Sequence, residues 1–140
     1  MIRIDKRAGL ALALFLLAAL GVWLYLRLPP PSLVGAWSNQ APTNRIGFTF
    51  REDGSGMMTI GGARLDYRYR FDRGHRPSWL DLHAAPNGAP VTIKAIAEFP
   101  SNNRLKIRLP FTRTPGERPQ GFPADDVENT ILLTRVETAP

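Results

Sequence analysis

The chain is 140 residues long, with 18 Lys and Arg against 12 Asp and Glu for a formal charge of +6, two histidines and no cysteine. That composition excludes disulfide stabilisation and thiolate chemistry, and it leaves too few nitrogen and sulfur ligands for an ordinary zinc site. The length allows one ordinary domain beyond any membrane segment.

Arg3, Lys6 and Arg7, with a single Asp5, precede a nineteen-residue run from Ala8 to Leu26 that contains no charge and no proline. As a helix this run spans about 28 Å, close to the hydrocarbon thickness of a bilayer. Only Arg27 follows at once, so the positive-inside rule predicts a cytoplasmic N-terminus and an exported remainder. Leu10, Leu14 and Leu17 form the body of this anchor, and Trp23 and Tyr25 sit where amphipathic aromatics favour the headgroup region. A secretory signal cleaved near Ala19-Leu20-Gly21 is the alternative. The run continues apolar through Leu26, which favours the uncleaved anchor. Gly9, Ala11, Ala13, Ala18, Ala19 and Gly21 permit close approach by a second membrane helix, although such residues are common in any span.

Pro29-Pro30-Pro31 cannot continue the helix and predicts a stiff extended spacer. From there the pattern is that of strands. Ala36-Trp37 opens the first, and Ile46 to Phe50 alternates large apolar groups. Glu52 to Gly56 reads as a turn, Met57 to Ile60 as a short strand, and Gly61-Gly62 as a second turn. Arg64 to Asp72 has the clearest period of two, with Leu65, Tyr67, Tyr69 and Phe71 on one face and Arg64, Asp66, Arg68, Arg70 and Asp72 on the other. Trp79 to Ala84, Val91 to Phe99, Arg104 to Leu109 and Asn129 to Glu137 complete the set, with Arg104, Lys106 and Arg108 predicted to face outward. Thr112 to Asp126 is a long loop rich in proline, glycine and charge. Some eight short strands in about a hundred residues predict a small antiparallel barrel, because closure removes exposed edges. The predicted organisation is a basic tail at 1–7, a transmembrane helix at 8–27, a spacer at 28–32 and an all-β domain at 33–137.

Candidate chemistry is sparse. His75 and His83 are the only histidines, so no metal is expected. Ser55 in Gly54-Ser55-Gly56 lacks the strand-to-helix elbow of a serine nucleophile. Asp66, Asp81 and Glu98 fall on strand faces expected to be solvated, where acids keep ordinary titration. No catalytic residue and no cofactor are therefore assigned. Phe48, Phe50, Leu65, Tyr67, Tyr69 and Phe71 line the expected barrel interior, which side chains fill or which holds one small apolar ligand. Arg64, Arg68, Arg70, Arg73 and Arg76, with Lys94, Arg104, Lys106 and Arg108, make a basic face if their strands are neighbours. With Arg118 and Phe122 they are the candidate partner surface, set against a plain solvated wall of mixed charge. Between Leu28 and Pro140 fourteen basic residues meet eleven acidic ones. This mild excess, with arginines and aromatics on opposite faces, argues against nucleic acid.

Leu33-Val34-Gly35-Ala36-Trp37 resembles the G-x-W opening of lipocalin-like barrels. That resemblance implies that Trp37 closes the barrel base and that a basic residue of the last strand, here Arg135, stacks on it. The order G-x-W, Trp79-Leu80-Asp81-Leu82, Arg118-Pro119-x-x-Phe122 and a terminal Leu133-x-Arg135 is similar to a group of small secreted lipocalin-like domains of unknown function. Lys94-Ala95-Ile96 stands where that group has Gly-Ile-Tyr, and its cysteine is absent. The expected protein is a single-pass inner-membrane protein of a Gram-negative-like cell with a periplasmic barrel. It would serve as a non-catalytic accessory subunit beside a membrane-protein partner, or alternatively as a carrier of a small molecule or lipid.

Overall fold

The computed structural model describes residues 6–110, 116–125 and 129–137. The expectations placed on Arg3, Thr112 and Asp126 lie outside these residues, as do the side chains of Lys6 and Arg7. The chain divides into two compact units, Met1–Pro30 and Pro31–Pro140.

The first unit is one helix, α1 (Lys6–Arg27). Its alanines and leucines are strong helix formers, and the prolines at 29–31 end it. Arg27 lies in the last turn, where a cation complements the helix dipole, and its guanidinium stands 4.4 Å from the Trp23 ring centre. The segment Gly9–Arg27 has a mean hydropathy of 2.3 and is long and apolar enough to cross a membrane. No part of it is buried within the structure. An anchor and a signal sequence share these properties.

The second unit is a closed barrel of eight antiparallel strands, each paired with its neighbours in sequence. They are β1 (Gly35–Ser38), β2 (Ile46–Phe50), β3 (Ser55–Ile60), β4 (Ala63–Asp72), β5 (Ser78–Ala84), β6 (Val91–Ser101), β7 (Arg104–Arg108) and β8 (Thr130–Arg135). Local chemistry sets the turns. Gly61 and Gly62 both take positive φ, which a two-residue hairpin between β3 and β4 requires. Between β2 and β3 the Asp53 carboxylate accepts hydrogen bonds from the Ser55 amide (2.9 Å) and hydroxyl (2.6 Å). These bonds favour its charged form and hold its titration below the usual carboxylate range.

Several strand ends shift by one or two residues from the sequence expectation, and two of the shifts have a local cause. Strand β3 begins at Ser55, because Gly56 already pairs with Phe50 and Tyr67. Strand β6 runs on to Ser101 across an irregularity between Glu98 and Ser101 in its pairing with β7, the place where Pro100 lacks an amide proton.

Period-two alternation sends one face of every strand inward. Trp37, Phe48, Phe50, Leu80, Leu82, Leu105, Ile107 and Leu133 are all but sealed from solvent, and Ala95 and Ala97 leave room for them on β6. Aromatic rings hold the rest together. Phe50 meets Tyr69 edge-on at 5.0 Å and Tyr67 at 5.8 Å, and Phe99 bridges Trp37 (5.9 Å) and Phe71 (6.1 Å). Gly56 is glycine for a packing reason, since a Cβ there would run into the Tyr67 ring and the Thr49 carbonyl.

The ring closes through only two residue pairs, Trp37 with Arg135 and Ser38 with Thr134. Arg135→Ala should therefore cost the folded barrel about 2–4 kcal/mol, from a lost charged hydrogen bond and a lost cation–π contact. Arg135→Lys should recover less than half, because one ammonium cannot both lie flat on an indole and span two carbonyls. Denaturant unfolding of the detergent-solubilised chain measures both.

Candidate functional site

The barrel-closing pair is built from four side-chain contacts. The Arg135 guanidinium lies 4.1 Å from the Trp37 ring centre and donates to the carbonyls of Val34 (2.9 Å) and Ser32 (2.7 Å). The Trp37 indole donates to the Leu33 carbonyl at 2.9 Å. Gly35, at φ 134°, leaves the room that the guanidinium needs, because a Cβ there would stand 2.6 Å from it. Each of these three hydrogen bonds ends on a backbone carbonyl and the remaining contact is on a ring, which makes the cluster a structural clasp.

Of the candidate interior residues, Phe48, Phe50 and Tyr67 are buried, while Leu65, Tyr69 and Phe71 are half-buried. The phenols of Tyr67 and Tyr69 cross to β2 and its turn, donating to the carbonyls of Thr49 (2.9 Å) and Arg51 (2.6 Å). Burial raises the titration of both above the usual tyrosine range, and the neighbouring phenol adds to the effect at Tyr67.

Buried side chains pack the middle of the barrel, and two of its open spaces lie at the rims. Beside the β5–β6 connection is a shallow depression of about 650 Å³, lined by Tyr67, Tyr69, Ala84 and Ala85 with Asp66, Arg68 and His83 around it. At the β4–β5 hairpin a second cleft, of about 570 Å³, lies among Pro31, Phe71, Arg73, Arg76 and Phe99. Connections alternate between ends in an up-and-down barrel, so these two hairpins mark opposite rims.

The candidate partner residues do not form one basic face. Strands β4 and β7 are separated by β5 and β6, which parts Arg64, Arg68 and Arg70 from Arg104, Lys106 and Arg108. Several have local partners. Arg64 pairs with Asp66 at 2.8 Å, Arg68 donates to the Asp53 carbonyl at 2.9 Å, and Lys106 pairs with Glu98 at 2.9 Å. Arg70 stands opposite Asp81 across the β4–β5 ladder. Arg73 donates to the Pro31 carbonyl, and Arg76 is exposed on the hairpin.

Residues 116–122 form a strap on the outer wall of β5, β6 and β7. Arg118 donates to the Ala95 carbonyl at 2.6 Å and to the Asp81 carboxylate, and its guanidinium lies 4.5 Å from the Trp79 ring centre. Pro119 is buried, and Phe122 lies 4.9 Å from the Lys106 ammonium. Two expectations are corrected here. Arg108 is buried and donates to the Gly121 carbonyl at 2.6 Å, and Asp81 is half-buried under Arg118. Strand alternation placed both on the outer face, but it carries no information about a later segment that covers that face. One signal was present, since Trp79 and Ile96 are large apolar residues at outward positions.

His75 stacks on Trp79 at 3.4 Å, and His83 stands 3.0 Å from the Thr92 hydroxyl. Among the described residues no group of three or more His, Cys, Asp or Glu is placed to hold a metal ion. The fold defines the class: an eight-stranded antiparallel closed β-barrel, consistent with a lipocalin-like architecture, in a chain headed by one apolar helix able to span a membrane. No family model, curated protein or solved structure matches the chain, so the likeness is one of architecture alone.

Two outcomes follow from these contacts. Arg118→Ala should loosen the strap, costing roughly 1–3 kcal/mol and speeding amide exchange over 116–122 by tenfold or more. Hydrogen-exchange mass spectrometry reads this directly. Tyr67→Phe should cost about 1 kcal/mol at neutral pH through the lost hydrogen bond. The wild-type phenol titrates higher folded than unfolded, so its contribution is complete below about pH 10 and falls as pH rises further. The variant should therefore lose stability less steeply than wild type between pH 9 and 11 in denaturant titrations.

Proposed function

We propose that this chain is a membrane-anchored binding protein whose barrel takes a small apolar ligand at the Tyr67–Tyr69 rim. The carrying observation is the depression there, whose volume of about 650 Å³ falls within the range of small-molecule sites. Tyr67, Tyr69, Ala84 and Ala85 offer it an apolar lining, while Asp66, Arg68 and His83 supply the few polar groups that orient a bound molecule. Since the barrel's middle is filled, the ligand sits across this rim, half-covered, in the manner of a molecule passed between a membrane and another acceptor.

In this reading α1 is an uncleaved anchor in the inner membrane. Arg3, Lys6 and Arg7 hold the tail in the cytoplasm, and the barrel works in the periplasm without catalysing a reaction. A role as an accessory subunit of a membrane complex has less support. The 112–126 segment was its natural docking element, yet Arg118, Pro119 and Gly121 already engage the barrel's own wall.

Ala85 is exposed at the edge of the depression, so Ala85→Trp fills the space without entering the core. The full-length protein, purified from its native membranes and extracted with organic solvent, should yield one enriched apolar compound by mass spectrometry. Ala85→Trp should reduce that yield at least tenfold with an unchanged melting temperature. Equal yields from both proteins would overturn the proposal.

A further inference from the structure

The cleft at the opposite rim has a different chemistry. Phe71, Phe99, Pro31, Pro77 and Ala97 are among its apolar lining. The β4–β5 hairpin brings three basic side chains to it within four residues, Arg73, His75 and Arg76. Glu98 also lines the cleft, and Asp72 adjoins it. Glu98 pairs with Lys106 at 2.9 Å. Asp72 accepts the Gly74 amide at 2.8 Å and stands 3.4 Å from the His75 ring nitrogen.

The two guanidiniums are left with spare donors. Arg73 gives one N–H to the Pro31 carbonyl and stands 5.3 and 5.6 Å from the ring centres of Phe71 and Phe99. That contact fixes the guanidinium over the aromatic rings while most of its five donors point elsewhere. Arg76 makes no hydrogen bond and no ion pair with any of the described residues. Five-donor groups with spare N–H bonds, beside aromatic rings, suit an anion with several acceptor oxygens and an apolar substituent.

We propose that this cleft binds a phosphate group, with Arg73 and Arg76 donating to its oxygens and the rest of the molecule lying on Phe71 and Phe99. The phosphate comes either from the headgroup of an anionic phospholipid or from a free phosphorylated compound. The site is independent of the Tyr67–Tyr69 rim.

To test this, the full-length protein in a neutral maltoside detergent is titrated with inorganic phosphate and, separately, with a short-chain phosphatidylglycerol, while amide exchange over 72–78 is followed. Saturable protection is expected from at least one of the two, weakening as salt is raised. Arg76→Gln removes a side chain with no structural role within the described residues and should weaken binding about tenfold. Adding Arg73→Gln should weaken it further. The control pair Arg64→Gln/Arg104→Gln should leave it unchanged. Protection by the lipid alone identifies a membrane headgroup as the source, and protection by phosphate identifies a free phosphorylated compound. The absence of saturable protection with either probe, or an equal weakening in the control, overturns the assignment.

Discussion

Closure of the barrel by Arg135 is the constraint on which the rest depends. Strand β1 has four residues and meets β8 through two pairs, a short seam for a ring of eight strands. Without that seam the sheet would have two exposed edges, and its inward aromatic face would open to water. Arg135 reinforces the seam across 101 and 103 residues of sequence, binding the carbonyls of Val34 and Ser32 that precede β1. The stack on Trp37 holds the guanidinium flat while these bonds form, and Gly35 keeps the space clear. One cation thus joins the two ends of the domain where the backbone ladder is shortest.

The outer wall follows a second rule. A strand facing water needs only polar outward residues, yet β5 and β6 carry Trp79 and Ile96 on that side. The 116–122 strap reduces the mismatch, since Ile96 is buried and Arg118 lies against Trp79, which stays partly exposed. Its own attachment is polar and partly shielded. Arg118 satisfies a backbone carbonyl and a carboxylate while stacking on Trp79, and Arg108 satisfies the Gly121 carbonyl in return. Shielding makes these charged contacts stronger than the exposed Arg64–Asp66 pair on the same barrel, whose members remain in water. Of the basic residues on the outer wall, Arg108 and Arg118 fasten the strap, whereas Arg64, Arg70, Arg104 and the hairpin residues Arg73 and Arg76 are exposed.

Filling of the interior decides where function can reside. Large side chains from β1, β2, β5, β7 and β8 are buried together in the middle of the barrel. Open space is left at two rims, where inward residues such as Leu65, Tyr69 and Phe71 are half-buried. One rim offers phenols and alanines with a thin polar border, and the other offers aromatic rings beneath guanidiniums. Such a division suits a small protein that handles amphipathic molecules near a membrane, with apolar and anionic groups recognised by separate surfaces.

Much of this architecture was legible in the sequence. The apolar run before the prolines, the alternation of Leu65, Tyr67, Tyr69 and Phe71, and the paired glycines at 61 and 62 each reflect a local rule: helix length, strand period or turn dihedral. Local rules act between residues a few positions apart, so a single chain displays them. They also carried the number of strands and the closed antiparallel form. The start of β3, the irregularity in β6, the burial of Arg108 and the pairing of Asp81 with Arg118 were not legible, because each depends on a residue far away in sequence arriving at that spot. The same holds for the two rims. Alternation assigned side chains to an inward face, but only the three-dimensional packing of eight strands determined which of those side chains close the core and which are left at an opening.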